Sequence, residues 1–280
     1  MRALLVPVLL SLPFLACSKP GNSPSSEVPQ STREDVPLAK LRIQAEQGNA
    51  HAQTQLAICF AEGKAVPQDL AEAAKLFQQA ADQGDVLAQF HLARSFDQGR
   101  GVPQDLEEAA MWYLQAAGPR YDLFWADYEQ AQTMAQAALG ACYADGKGLA
   151  QDYGEAVRWL LEAAEQNEPA AYFRLGDCYD QGHGVPQDFA EAVVWYRKSA
   201  ELGNAMAQFR LGIYYDQGKG TPPDRVEAYV WYSLAFANGE PEAGRWRDLA
   251  AKELFPADLK RAQTRARELQ SEMLAQKHPH

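Results

Sequence analysis

Ten carboxylates stand in five pairs, three residues apart: Asp69 and Glu72, Asp105 and Glu108, Asp152 and Glu155, Asp188 and Glu191, Asp224 and Glu227. Two carboxylates on one helix face is a spacing that general acid and base chemistry can use. The same spacing also starts helices. An Asp cap accepts from free backbone N–H groups, and a Glu three residues on reaches back to the cap's own N–H. Both acids favour the positive helix end. The pair recurs five times at the head of an apolar run. The reading is therefore ten helix-start acids and no catalytic carboxylate.

Other reactive side chains are sparse. Cys59, Cys142 and Cys178 occupy one equivalent place in three of the repeats, and Ser95 and Tyr214 fill it in the other two. Equivalent positions in neighbouring repeats lie farther apart than the ~4.4–6.8 Å Cα separation of a disulfide. They read as free, buried, small apolar residues. The five histidines are scattered: His51, His91, His183, His278 and His280. No His-Glu-x-x-His, Cys-x-x-Cys or Gly-x-Ser-x-Gly occurs. The loop Gly-x-Gly has no preceding strand and no third Gly, so it reads as a turn and not a phosphate cradle. No metal centre, no cofactor and no enzyme activity is expected.

Helices must position all of this. Five loops look alike: Gly63 to Asp69, Gly99 to Asp105, Gly146 to Asp152, Gly182 to Asp188 and Gly218 to Asp224. Their aspartates are spaced 36, 47, 36 and 36 residues apart, the signature of a solenoid. Before each loop an Ala, a Leu four residues on and an aromatic four after that make one apolar stripe. The first loop Gly then ends that helix in the left-handed conformation. A second helix follows each Asp, with Leu76-Phe77, Trp112-Tyr113, Trp159-Leu160, Trp195-Tyr196 and Trp231-Tyr232 at one place. A large residue at a fixed position in each repeat reads as inter-repeat core.

The unit resembles the Sel-1-like repeat, a relative of the tetratricopeptide repeat. Leu175-Gly176, Tyr179, Gly182, Gly184, Asp188, Ala192, Trp195 and Tyr196 carry the likeness most clearly. The first copy departs most, with Ala65 at the second loop Gly and no Trp. The resemblance implies an all-α fold: an α-solenoid of about five helix-turn-helix repeats with N- and C-terminal capping helices. The solenoid is placed at 36–242. Leu38 to Glu46 reads as the closing helix of an incomplete repeat. Within 243–280, a longer and more polar pair, Glu242 to Leu254 and Ala257 to Met273, is expected to cap the other end.

The first residues read as an address. Ala3 to Phe14 is an apolar run too short to span a bilayer, which takes ~20 residues. Phe14-Leu-Ala-Cys17 resembles the lipobox of bacterial lipoproteins, so 1–16 is read as a signal peptide and Cys17 as the lipidated residue. Ser18 is similar to residues that direct such proteins to the outer membrane. Residues 17–35 are rich in Ser and Pro and read as a tether. The net charge is −11. Residues 36–242 carry 15 bases and 29 acids, and 243–280 carry 8 bases and 5 acids. An acidic body argues against nucleic acid as a partner and against a polybasic membrane face. Membrane contact is expected by the lipid anchor only.

Two features remain for recognition. On the first helices, one row carries Gln55, His91, Ala138, Arg174 and Arg210, and another Ile58, Arg94, Ala141, Asp177 and Ile213. Positions that change from repeat to repeat do not hold the stack, and such solenoids present first helices on their concave side. His91, Arg94, Arg174, Asp177 and Arg210 are the candidate contacts. The second feature is an eleven-residue excess between repeats two and three, carrying Tyr121, Phe124, Trp125 and Tyr128. Those aromatics either cover the adjacent groove or form a binding knob. The expected partner is another protein. The resemblance extends to lipoproteins similar to immunity proteins that neutralise toxic phospholipases delivered by type VI secretion. The alternative is an envelope scaffold for polysaccharide export or motility. Cys-rich relatives described as β-lactamases are a poor match, because Ser-x-x-Lys and the disulfide pattern are missing.

Overall fold

The computed structural model describes residues 36–118 and 126–277, and among them every regular element is a helix. A lone α1 (Val36–Glu46) opens the array. Five helix pairs follow: α2 (Ala50–Glu62) with α3 (Leu70–Asp82), α4 (Val86–Gln98) with α5 (Leu106–Ala117), α6 (Ala126–Asp145) with α7 (Tyr153–Glu165), α8 (Pro169–Gln181) with α9 (Phe189–Glu201), and α10 (Ala205–Gln217) with α11 (Arg225–Ala237). α12 (Pro241–Glu253) and α13 (Pro256–Lys277) close it. Each helix packs on the one before it and the one after, from α1 to α12. That is a solenoid. First helices of neighbouring repeats also touch, α4 with α6 and α6 with α8, whereas second helices do not approach to the same extent. The first helices therefore form the inner, concave layer.

The loop chemistry explains the recurring Pro-Gln-Asp. The first loop Gly caps its helix in the left-handed region, with φ of 65° to 72°. The Gln side chain then donates to a carbonyl in the last turn of the first helix: Gln68 to Ala61, Gln104 to Asp97, Gln151 to Ala144 and Gln187 to Asp180, at 2.7–2.8 Å. The Asp backbone N–H donates to the aromatic carbonyl at the helix end, as Asp188 does to Tyr179 at 2.9 Å. The Asp carboxylate accepts from two N–H groups of the second helix; for Asp188 these are Ala190 and Glu191, at 2.9 and 3.1 Å. The ten acids are helix-start acids, with one correction. The expected reciprocal bond from the Glu is pre-empted, because the Asp N–H is already taken by the carbonyl of Phe60, Phe96, Tyr143, Tyr179 or Tyr215. Glu72, Glu155 and Glu227 turn forward instead, to Lys75, Arg158 and the indole of Trp231.

Repeats are keyed to one another at two places. The second loop Gly lies on the first carbonyl of the preceding repeat's second helix. A Cβ on Gly101, Gly148, Gly184 or Gly220 would stand 1.8–2.2 Å from that oxygen. The first copy carries Ala65 there, at φ 62° and exposed. The second key is a buried Gln on the first helix. Gln53, Gln89 and Gln208 donate to the carbonyls of Ala45, Ala81 and Ala200 in the preceding helix. Large second-helix residues fill the gaps between. Trp159 packs in the cluster of Phe90 and Tyr113, one repeat earlier, as expected of an inter-repeat core residue.

The C-terminal helices depart from the expected pair. α13 packs on α11, with Met273 reaching the Gln208 amide, and not face to face on α12. The reason is legible in α12. Where α10 presents Phe209 and Gly212 to its partner, α12 presents Arg245 and Asp248, both exposed. Nothing apolar remains there to bury a further helix, so the array stops. Among the described residues no helix is long and apolar enough to cross a membrane. The signal run, Cys17, the tether, Tyr121, Phe124, Trp125, His278 and His280 lie outside the described residues.

Candidate functional site

The inner face is built by the two changing rows of the first helices. His91 is wedged between repeats, its ring stacked on Phe77 at 4.9 Å and 14°. Burial lowers its pKa from 6.5 to about 4, helped by the charge of Arg94, so the ring is neutral at pH 7. Arg94 lies 5.7 Å over the Phe90 ring and makes no ion pair among the described residues.

Farther along, Arg174 and Asp177 are each bonded to a neighbouring helix. Arg174 grips Asp145 of the preceding repeat through both carboxylate oxygens, at 2.8 and 3.2 Å. Burial opposes ionisation of Asp145, but bonds from Arg174 and Lys147 outweigh it and hold the carboxyl below its usual range. Asp177 accepts from the Tyr196 hydroxyl at 2.7 Å. Burial nevertheless raises the Asp177 pKa, against that bond and the nearby Arg210. Asp180 accepts from Lys219 at 2.6 Å and from the Tyr214 hydroxyl. Burial opposes its ionisation too, but those bonds hold Asp180 below its usual range. Arg210 stands in the field of Asp177 and Asp180, its Nε buried without a hydrogen-bond partner. So Arg174 and Asp177 also tie helices together, while Arg94 and Arg210 keep donor capacity. Arg174 and Arg210 both act on Asp177 through their charge, with His91 and Arg94 two repeats before Arg174.

Tyr128 is the described member of the aromatic insertion. It sits on α6, which runs 20 residues where the other first helices have 13. Its hydroxyl donates to buried Asp85 at 2.6 Å and lies 3.2 Å from His51 Nδ1. Asp85 caps α4 and His51 belongs to α2. At this residue the insertion packs across two earlier repeats, as the covering reading expects.

Cys59, Cys142 and Cys178 are unbridged. Cys178 is buried, but Cys59 and Cys142 are only half-buried, since their row borders the inner face. Burial raises the Cys142 and Cys178 thiols to about 11 and raises Cys59 as well, so none is a ready nucleophile. Among the described residues no group of three His, Cys, Asp or Glu is placed to hold a metal.

The inner face also has members that the loop-based reading missed. The rows continue into α12 in the same 36-residue register: Trp246 follows Arg210, and Leu249 follows Ile213. Trp246 is 36% exposed and Leu249 44%, with Met206 of α10 at 42%. Trp246 leans on Tyr232, ring centroids 6.2 Å apart. The buried Tyr232 hydroxyl has no partner, because Ile213 stands where Asp177 receives Tyr196 one repeat earlier. Large apolar side chains beside unpartnered donors suit protein recognition.

Comparison with known proteins agrees. A Sel1 repeat model matches residues 50–85, 86–117, 133–168, 169–204 and 205–240. No curated protein matches the chain. Among solved structures, a protective antigen present in uropathogenic Escherichia coli strains, displaying an SLR fold, superposes with a TM-score of 0.74 at 32% identity. The match covers 84% of this chain and 48% of that one, so this chain spans about half its length. A Sel1 repeat protein from Oxalobacter formigenes has a TM-score of 0.65 at 27% identity, over 88% of this chain and 95% of that one. An immunity protein from Pseudomonas aeruginosa has a TM-score of 0.42 at 18% identity, over 80% and 83%. The five matched repeats span most of the chain, which thus belongs to the Sel1 repeat family, helical scaffolds for protein–protein interaction.

Proposed function

We propose that this scaffold is held in the bacterial envelope by lipid on Cys17 and captures one periplasm-acting protein on its inner face. In its most specific form the partner is a toxic effector of type VI secretion, such as a phospholipase, and the chain is its immunity protein. The observation that carries the binding surface is the exposed trio Met206, Trp246 and Leu249. Trp246 and Leu249 lie along the same rows as Arg94, Arg174 and Arg210, and Met206 is one helical turn before Arg210. Trp and Arg are the residue types that most often dominate interface energy. The acidic body, with 29 acids against 15 bases over 36–242, supports a cationic partner and fast, salt-sensitive association.

The test is a titration of the chain against the protein encoded beside it. Trp246→Ala, and separately Arg174→Glu with Arg210→Glu, are each expected to cost ~2 kcal/mol or more of binding. Binding by both at parental strength removes the inner face. If no neighbour-encoded protein binds the parent, the immunity reading falls and a general envelope scaffold replaces it. For the anchor, Cys17→Ser is expected to move the protein from the membrane pellet to the soluble fraction. A processed variant that still pellets overturns it.

A further inference from the structure

A cleft of about 290 Å³ opens between α11, α12 and α13. It exists because α12 and α13 both lie on α11 and do not close on each other as the five repeat pairs do. Arg247 of α12 and Arg267 and Gln263 of α13 line it, with Gln270, Ser233 and Tyr229. No carboxylate is in the lining, in a chain with 37 acids against 26 bases.

Of the two arginines, Arg247 is paired with a carboxylate that lies outside the lining, and Arg267 has no such partner among the described residues. Arg267 is exposed and makes no ion pair among the described residues. Its neighbours one helical turn away are Gln263, Thr264, Gln270 and Ser271, none of them acidic. Elsewhere on α13, Arg261 does have such an acid, Asp258, at 3.3 Å. Arg247 bonds only its chain neighbour Asp248, which is largely exposed, while its guanidinium lies 4.9 Å over the Phe236 ring. That stacking fixes its plane while leaving donors free, since a guanidinium carries five N–H groups. Two cations and two carboxamides around an acid-free cleft present an excess of donors to whatever enters it.

We propose that this cleft binds a phosphoryl group. The planar fork of Arg matches phosphate oxygens two at a time, and the amides of Gln263 and Gln270 supply neutral donors to the remaining oxygens. The volume suits one phosphate with a small substituent. The group belongs either to a free phosphate or to the headgroup of an anionic phospholipid.

The full-length protein is tested in two arms at constant ionic strength. One arm titrates inorganic phosphate, followed by calorimetry and by the melting temperature. The other compares sedimentation with phosphatidylglycerol and with phosphatidylcholine vesicles, so that anchoring by the protein's own lipid cancels. Arg267→Gln is the main variant, since its side chain is exposed and the fold does not depend on it. Gln263→Glu puts a carboxylate into the cleft. Each is expected to weaken binding by about tenfold or more, the loss of one charge-assisted contact. A phosphate response lost in both variants carries the proposal with a free anion as ligand. A phosphatidylglycerol preference lost in both carries it with a headgroup. No response in either arm, or responses unchanged in both variants, overturns it.

Discussion

His91 shows what a single inner-face residue does for the fold. It is set between two repeats, ring on ring with Phe77, and burial keeps it uncharged. Its pKa falls from 6.5 to about 4 on folding, so the folded chain resists its protonation. The contribution is fully present above 6.5 and is lost as pH falls toward 4. Chemical denaturation between these limits is therefore expected to show stability falling with acid, and His91→Phe is expected to flatten that fall while keeping the stack. The difference should be at least ~1.4 kcal/mol, the equivalent of one pKa unit. An identical slope in the variant would falsify the buried, neutral His91. The row that holds His91 was legible as variable, but not as partly structural. Asp145 and Arg174 are 29 residues apart, and no spacing rule brings a helix end in one repeat to a helix middle in the next. The inter-repeat register decides it, and that register is a property of packing.

At the scale of the element, the repeat was largely readable. Caps, loops and the two apolar stripes obey short-range rules, and the observed helices start and stop where those rules place them. Two things escaped. The loop Gln recurs four times before Asp, yet its bond to the preceding helix became apparent only from the folded turn. The capping box was misjudged because a backbone carbonyl competes for the same N–H and is closer by construction of the turn. The second loop Gly gives this level its sharpest test. Gly184 has φ 74° and would place a Cβ 2.2 Å from the Tyr153 carbonyl. Gly184→Ala is expected to cost on the order of 3 kcal/mol, combining left-handed strain with a backbone clash. Gly48 also has positive φ but open space around it, so Gly48→Ala is expected to cost only about 1 kcal/mol. Equal melting temperatures for the two variants would mean that the loop does not hold the neighbouring repeat.

For the molecule as a whole, order and termination follow from different residues. The fixed positions build a stack with no internal reason to end. The end comes from Arg245 and Asp248, which replace the apolar surface a next helix would need. The candidate binding surface ran past the last loop motif for the same reason: α12 keeps the inner rows of a repeat without its partner face. Reading the 36-residue register through to Trp246 and Leu249 would have found them from sequence. Charge divides along the same line, with the acidic excess in the stack and a basic excess in 243–280.

The glycine that rests on the neighbouring repeat makes each unit a receptor for the one before it. A receptor of this kind is indifferent to which copy supplies the carbonyl, because Leu70, Leu106, Tyr153 and Phe189 all present the same atom. The array is thus a sentence from which a clause can be struck. Excising residues 169–204 would bring Gly220 onto the Tyr153 carbonyl that Gly184 now covers, and Arg210 into the place where Arg174 grips Asp145. The arginine now left with an unpartnered Nε would inherit a carboxylate. Length can therefore drift by whole units during descent without any residue having to change, whereas the opening copy, carrying Ala65, is fixed in first place.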